Sequence, residues 1–485
     1  MNVDSSAELF GHMVSNATRL VGDLRRDGVE LARHAEEFYI AAAQRSRGVR
    51  DAMRATPRVS RIVTEGLRIA AGYRLHALRT AHLTEAEAEQ RLQALHHASA
   101  ERLRELCVEL RGGVLKVGQL LSCRMDLLPE PWIASLSQLQ DRVPPVDVDT
   151  ITARVEDVLG APLEVLFARF DLEPIAAASL AQVHGAALHD GTEVVVKVQV
   201  PGVETCIEAD LHAMRVLGHW LGDLLPFGDL DTVLNELERS LLEELDYEAE
   251  ARHTSDFADY AAASPGVLVP TVHPSHSGAT VLTQGRIRGA RLIDYLEACE
   301  QRGEEGAADR DALFTVLMQS VCAQVLRDGL MHADPHPGNF LVCEGPRLAV
   351  LDFGCVQRFT EPERHAYARL VGAVLTRNTS EMATHLDTMG FKTADGDTKP
   401  LEEVAEMLLE AFMTDGSVAG LEMDMGAQIA RAIDIAKQNP VVEIPQSFVQ
   451  LGRVLAALGG YVVRFKPDIN LFRLIGPYLV VPQDR

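Results

Sequence analysis

The chain has 485 residues, with 46 Lys and Arg against 70 Asp and Glu, and a formal charge of -24 at pH 7. That acidic balance excludes a nucleic-acid partner, because such binding neutralises phosphates with Lys and Arg, while leaving room for one phosphate ligand held by a single Lys and a metal. Hydrophobic residues at 47% and charged residues at 24% are globular proportions, and the length allows two to three domains or one large bilobal body.

The start, MNVDSSAELFGHM, lacks the basic-then-apolar order of a secretory signal. From about residue 5 to residue 125 the chain is rich in Ala, Leu, Arg and Glu at helical spacing, which predicts several helices, punctuated by Pro57 and by the capping residue Thr84. Within it, Arg54, Arg58, Arg61, Arg68, Arg74 and Arg79 alternate with Val59, Ile62, Val63, Leu67, Leu75 and Leu78. Such a basic amphipathic stretch suits an anionic membrane surface; it suits equally well an apolar side packed on the protein body. Prolines in PEPW (129–132) and VPPVD (143–147) end the helical part.

The texture then changes. Ile175–His184 and the run V-V-V-K-V-Q-V (194–200), with Asp190-Gly191 between them, read as an antiparallel hairpin. A helical stretch follows over about 204–260, then strands at 267–269 and 280–283, a buried helix over 311–328, and two short strands at Phe340–Cys343 and Leu348–Leu351. From Glu361 onward the pattern is helical again. Phe448–Phe465 is the most apolar late stretch, but Gln450, Arg453 and Arg464 interrupt it, so no transmembrane helix is predicted. The seven cysteines (107, 123, 206, 299, 322, 343 and 355) are scattered, odd in number and without a CxxC pair, as free thiols of a reducing cytoplasm would be. The expected location is cytoplasmic, with any bilayer contact peripheral.

The strongest chemical signal is H-A-D-P-H-P-G-N followed by L-D-F-G. In kinase-type phosphoryl transfer a loop Asp accepts the hydroxyl proton, an Asn five residues on holds metal, and a second Asp just after a short hairpin holds the magnesium that bridges the phosphates. Asp334, Asn339 and Asp352 stand at those offsets. Each motif alone is a common turn; the ordered trio is far harder to reach by chance. Lys197 is an isolated cation in an apolar strand, where a phosphate-contacting Lys of such a lobe belongs, although a solvent-facing strand Lys is the commoner case. The acidic stretch L-L-E-E-L-D-Y-E-A-E-A then offers Glu243, Glu244, Asp246, Glu248 and Glu250 as its partner. Where a typical kinase covers the phosphates with glycines, this chain has Ala176, Ala177, Ala178, Ser179 and Ala181, which are small but lack the easy positive φ of glycine.

Taken together, these motifs resemble the UbiB family of atypical kinases, whose members carry an alanine-rich loop in place of the glycine-rich one. A second family mark is K-x-G-Q, here Lys116, Gly118 and Gln119, on a helix that in the family folds over the nucleotide lobe and blocks the peptide groove. A third is E-x-D, here Glu244 and Asp246, which by the resemblance faces the K-x-G-Q helix and leaves Glu250 to pair with Lys197; the two glutamates can be exchanged. One departure lies at the presumed hinge, L-T-Q-G-R, where relatives often carry an acid near Gln284.

The resemblance implies an α+β, bilobal protein-kinase-like fold with an N-terminal helical extension (1–100), a K-x-G-Q segment (101–145), an N-lobe (146–285), a C-lobe core (286–375) and a helical C-terminal part (376–485). It also implies ATP and Mg2+ as cofactors, a phosphotransferase or ATPase activity, and a lipid-linked role beside isoprenoid quinone biosynthesis and its proteins. The competing expectation is a pseudokinase-like scaffold that binds nucleotide and recruits partners or lipid without turnover.

Overall fold

A computed structural model describes residues 49–80, 83–122, 128–140, 145–221, 230–264, 266–393, 399–403, 405–406 and 441–479. Helices expected before residue 49, and the part of the helical tail at 407–440, lie outside the described residues. The chain divides into two compact units, Met1–Asp246 with Gly278–Val281, and Tyr247–Ser277 with Leu282–Arg485. The segment Tyr247–Ser277, expected with the N-lobe, therefore belongs to the second unit.

Unit 1 opens with α1 (Val49–Thr80), α2 (Glu85–Leu110), α3 (Gly112–Ser122) and α4 (Glu130–Leu136). The expected break at Pro57 does not occur, for α1 runs through it. A proline inside a helix costs about 3 kcal/mol, and the residues just after this one hold the helix in place. Val59 and Ile62 are buried in a cluster with Leu106, Val114, Trp132 and Leu136, and Arg58 is tied down by a buried carboxylate. Thr84 and Glu87 form the capping box that starts α2. Val59, Ile62 and Val63 of the arginine-rich stretch thus face protein while Leu75 is exposed, and Arg58, Arg61 and Arg68 are ion-paired to Asp210, Glu65 and Glu109. The side chains of Arg54, Arg74 and Leu78 lie outside the described residues.

After α5 (Val148–Leu159), capped by Asp147 and closed by Gly160, and the single turn α6 (Leu163–Leu166), the chain forms β1 (Arg169–Ala177), β2 (Ala181–Ala187) and β3 (Glu193–Gln199). The stretch 175–184, expected as one strand, is the end of β1, a tight turn and the start of β2. Ala178 N–H donates to Ala181 O at 2.8 Å, and the small side chains of this run let the chain reverse there. In β3, Val194, Val196 and Val198 are fully buried on α5 and β2, so the two-residue period turns Lys197 to the opposite face. Helices α7 (Val203–Leu221) and α8 (Leu230–Leu245) complete the unit.

Unit 2 begins with α9 (Tyr247–Ala261) and contains β4 (Val267–Leu268), β5 (Val281–Gly285, its first residue in unit 1), β6 (Ala290–Arg291), α10 (Leu292–Gln301) and α11 (Glu304–Cys322). The expected buried helix over 311–328 is α11 followed by a π-helical turn, Ala323–Asp328. Then come β7 (Leu330–His332), β8 (Phe340–Cys343), β9 (Arg347–Val350), β10 (Val356–Arg358), α12 (Glu361–Leu375), α13 (Thr379–Thr388), the short strands β11 (Lys392–Thr393) and β12 (Val441–Glu443), and the helices α14 (Gln446–Phe465) and α15 (Leu471–Ile475). Strands β8 and β9 form a hairpin and β7 pairs antiparallel with β10. The core gathers Phe257, Leu292, Phe314, Phe340, Phe353, Val454, Leu458, Val462 and Phe465.

By length and composition alone α14 is apolar enough to cross a membrane, the one such helix among the described residues. Its arginines do not break the apolar run; Val454, Leu458, Val462 and Phe465 form a stripe in the unit 2 core while Arg453 and Arg464 point outward.

Candidate functional site

The loop between β7 and β8 carries Asp334 and Asn339. Asn339 spends both amide protons on Asp334, donating from Nδ2 to the carboxylate Oδ2 at 2.9 Å and to the carbonyl at 3.1 Å. That leaves the amide oxygen Oδ1 as the polar atom of the Asn339 side chain not engaged by Asp334. Asp334 is exposed, whereas Pro335 beside it is buried. Asp352 follows β9, and its Oδ1 accepts from Gly354 N–H at 2.9 Å, a two-residue turn that fixes the carboxylate. Leu351 N–H donates to Asn339 O at 3.0 Å, which ties the two segments into one cluster. An amide oxygen and a carboxylate are hard donors, and two such ligands completed by phosphate oxygens fit magnesium. Among the described residues no group of three His, Cys, Asp or Glu stands close enough to hold a metal ion.

Two residues that the sequence did not single out fix this cluster. His332 is fully buried among Phe257, Phe340 and Phe353, with Nε2 bonded to Asp352 O and Nδ1 unpartnered, and burial lowers its pKa. Its place in L-M-H-A, a polar side chain ending an apolar strand two residues before Asp334, was the available signal. The other, Tyr461 on α14, donates its hydroxyl to Pro335 O at 2.7 Å. Burial first, and then the negative charge of Asp334, push its phenol up. No local pattern announces a contact spanning 126 residues.

From α9, His253 Nδ1 bonds Phe353 O at 3.2 Å and Phe257 packs on Phe353 with ring centres 4.7 Å apart. Glu250, in the first turn of α9, is buried. Gln284 of the presumed hinge is buried and donates to Thr254 Oγ1 at 3.2 Å, so its amide serves α9.

Unit 1 carries Lys197 on β3 and the alanine-rich turn. Ala176 and Ala177 end β1, Ala178 and Ser179 make the turn, and the next residue, Leu180, is buried in a cluster with Val117, Ile207, Leu211 and Leu241. Within unit 1 that cluster joins the turn to α3, the K-x-G-Q helix. Lys116 Nζ pairs with Glu244 at 2.6 Å. Of the two exchangeable glutamates, Glu244 is therefore the one beside Lys116, while Asp246 is exposed at the end of α8. Gly118 faces the other way; a Cβ there would stand 2.6 Å from Leu139 Cδ1 and 2.8 Å from Cys107 Sγ. Gln119 donates to Leu139 O at 2.7 Å, and Lys116 reaches the E-x-D segment through Glu244. Six described cysteines are free thiols.

The ABC1 atypical kinase-like domain matches residues 138–386, about half of the chain. The protein ACTIVITY OF BC1 COMPLEX KINASE 1, chloroplastic, of Arabidopsis thaliana is 32% identical over 78% of this chain and 55% of its own length. ACTIVITY OF BC1 COMPLEX KINASE 7, chloroplastic, of the same plant is 29% identical over 80% of this chain and 55% of its own. The chain thus spans about half the length of these curated relatives. A solved structure of Rv3197 of Mycobacterium tuberculosis, in complex with erythromycin, superposes with a TM-score of 0.54 at 25% identity, covering 81% of this chain and 96% of that one. The bilobal kinase-like fold expected from the motifs agrees with that neighbour, and the chain belongs to the ABC1, or UbiB, family of atypical kinase-like proteins.

Proposed function

We propose that the protein binds Mg-ATP and either hydrolyses it or transfers its γ-phosphoryl group, in support of isoprenoid quinone or related lipid metabolism at a membrane surface. The observation that carries the reading is the oriented trio of unit 2, in which Asn339 holds the Asp334 carboxylate and Gly354 N–H holds that of Asp352. Asp334 would accept the proton of the attacking hydroxyl or water as the γ-phosphorus–oxygen bond to ADP breaks. Asn339 Oδ1 and the Asp352 carboxylate would hold magnesium, which when bound neutralises phosphate charge and orients the chain. His332 keeps the Asp352 segment in register through its carbonyl. By the family pattern Lys197, with Glu250 as partner, would contact the α- and β-phosphates under the turn at Ala176–Ser179, and Lys116, Gly118, Gln119, Glu244 and Asp246 would regulate access.

A thermal-shift titration with magnesium and ATP or ADP tests this, run beside Asp352→Asn, because a ligand bound only to the native state raises stability with the logarithm of its excess over Kd. The expected result is a metal-dependent shift, lost in the variant, together with slow ATP turnover that Asp334→Asn abolishes. Metal-dependent binding with no turnover under any lipid condition would replace this reading with the nucleotide-binding scaffold.

A further inference from the structure

The loop that carries Asp334 is held at both ends by its own neighbours. On the upstream side Ala333 N–H donates to Cys355 O at 3.0 Å, and His332 N–H to the side chain of Gln324 at 2.9 Å. Downstream, Asn339 N–H donates to His336 O at 2.9 Å. Between them stands Pro335, which has no N–H, so the backbone there can be tethered only through its carbonyl. Tyr461 takes that carbonyl at 2.7 Å from α14.

The helix that delivers the hydroxyl is itself fixed. Tyr367 donates to Ser447 Oγ at 3.2 Å, Arg464 pairs with Glu297, and Val454, Leu458, Val462 and Phe465 are buried in the core. Because burial and the charge of Asp334 both favour the neutral phenol, the donor persists at working pH.

We infer that Tyr461 is a positioning residue for Asp334, and that α14 thereby belongs to the turnover machinery of unit 2. This inference rests on the function proposed above. The hydroxyl draws the carbonyl of Pro335 inward and buries the ring, and the preceding residue is left exposed with its carboxylate aligned on Asn339.

Tyr461→Phe deletes only the hydroxyl. The expected result is an ATP turnover number lowered by about threefold to tenfold, the worth of one neutral hydrogen bond, with KM and the nucleotide-induced thermal shift unchanged. Hydrogen exchange of nucleotide-free protein should quicken in peptides covering 332–340 and not elsewhere. Val463→Thr, an exposed change on the same turn of α14, should leave both readouts at the wild-type level. Wild-type turnover and exchange in Tyr461→Phe, or an equal loss in both variants, would overturn the inference. Should the wild type show no turnover, the proposed function fails, and the exchange measurement by itself decides whether Tyr461 orders the loop.

Discussion

Replacing Asp210 by alanine should unfasten the junction at which α1, α2, α3 and α7 meet. Asp210 is fully buried on α7, with its Oδ1 2.5 Å from Arg58 Nε, and its Oδ2 2.7 Å from Arg58 Nη2 and 3.0 Å from Val114 N at the start of α3. Arg58 also donates to the carbonyls of Leu110 and Arg111, which end α2. Removing the carboxylate leaves a guanidinium only 12% exposed without its counter-charge and an amide without its acceptor. Breaking one side of such a pair costs about 3–5 kcal/mol, against a total stability of about 5–15 kcal/mol for a typical domain. Urea denaturation followed by far-ultraviolet circular dichroism would measure it in a double-mutant cycle of Asp210→Ala, Arg58→Leu and the pair. The pair should recover at least about 2 kcal/mol over the worse single change, because two apolar groups strand no charge. Single variants each costing less than about 1 kcal/mol, or a double variant no better than its worse parent, would refute the view that this ion pair locks the helices.

Three further outcomes are expected. Lys116→Glu should cost about 1 kcal/mol or less, because the pair with Glu244 is partly exposed, and Lys116→Glu/Glu244→Lys should restore the thermal midpoint. Gly118→Ala should cost about 1–3 kcal/mol by overpacking against Leu139 and Cys107, and the same change made in a Leu139→Ala background should cost less in the same thermal scan. Burial lowers the pKa of His332 in the folded protein, so as pH falls below about 6.5 the unfolded chain takes up its proton first. Stability is therefore full above pH about 6.5 and declines below it, by up to about 1.4 kcal/mol per unit from this residue. His96, His184 and His253, also lowered by burial, act in the same direction. His332→Asn should flatten the decline measured by urea denaturation between pH 7 and 5.

The trio Asp334, Asn339 and Asp352 was legible because its information is local: two turns, each closed by its own side chains within five residues. The placement of Lys197 on the strand face opposite Val196 and Val198 was legible for the same reason, since strand alternation alone separates them. The alanine-rich turn was recognised as a motif but its strand boundaries were not, because a run of small residues carries no two-residue alternation to mark where β1 ends. Pro57 was read as a break because local propensity cannot see Asp210, 152 residues from Arg58. Tyr461 and the π-turn that aims Gln324 at His332 N–H were invisible for the related reason that their meaning depends on what packs against them. A late apolar helix was judged by its arginines, although what they decide is which side of α14 faces the core.

The tether from Tyr461 to Pro335 also has a meaning in time. Synthesis runs from the N-terminus, at about 5–20 residues per second, so the 126 residues between the two partners take about 6–25 s to emerge. During that interval Asp334 and Asn339 are already outside the ribosome while the hydroxyl that orders their loop has yet to be made. The nascent chain therefore carries the Asp334 loop for a time without its Tyr461 tether, and a pause within that stretch would lengthen the interval.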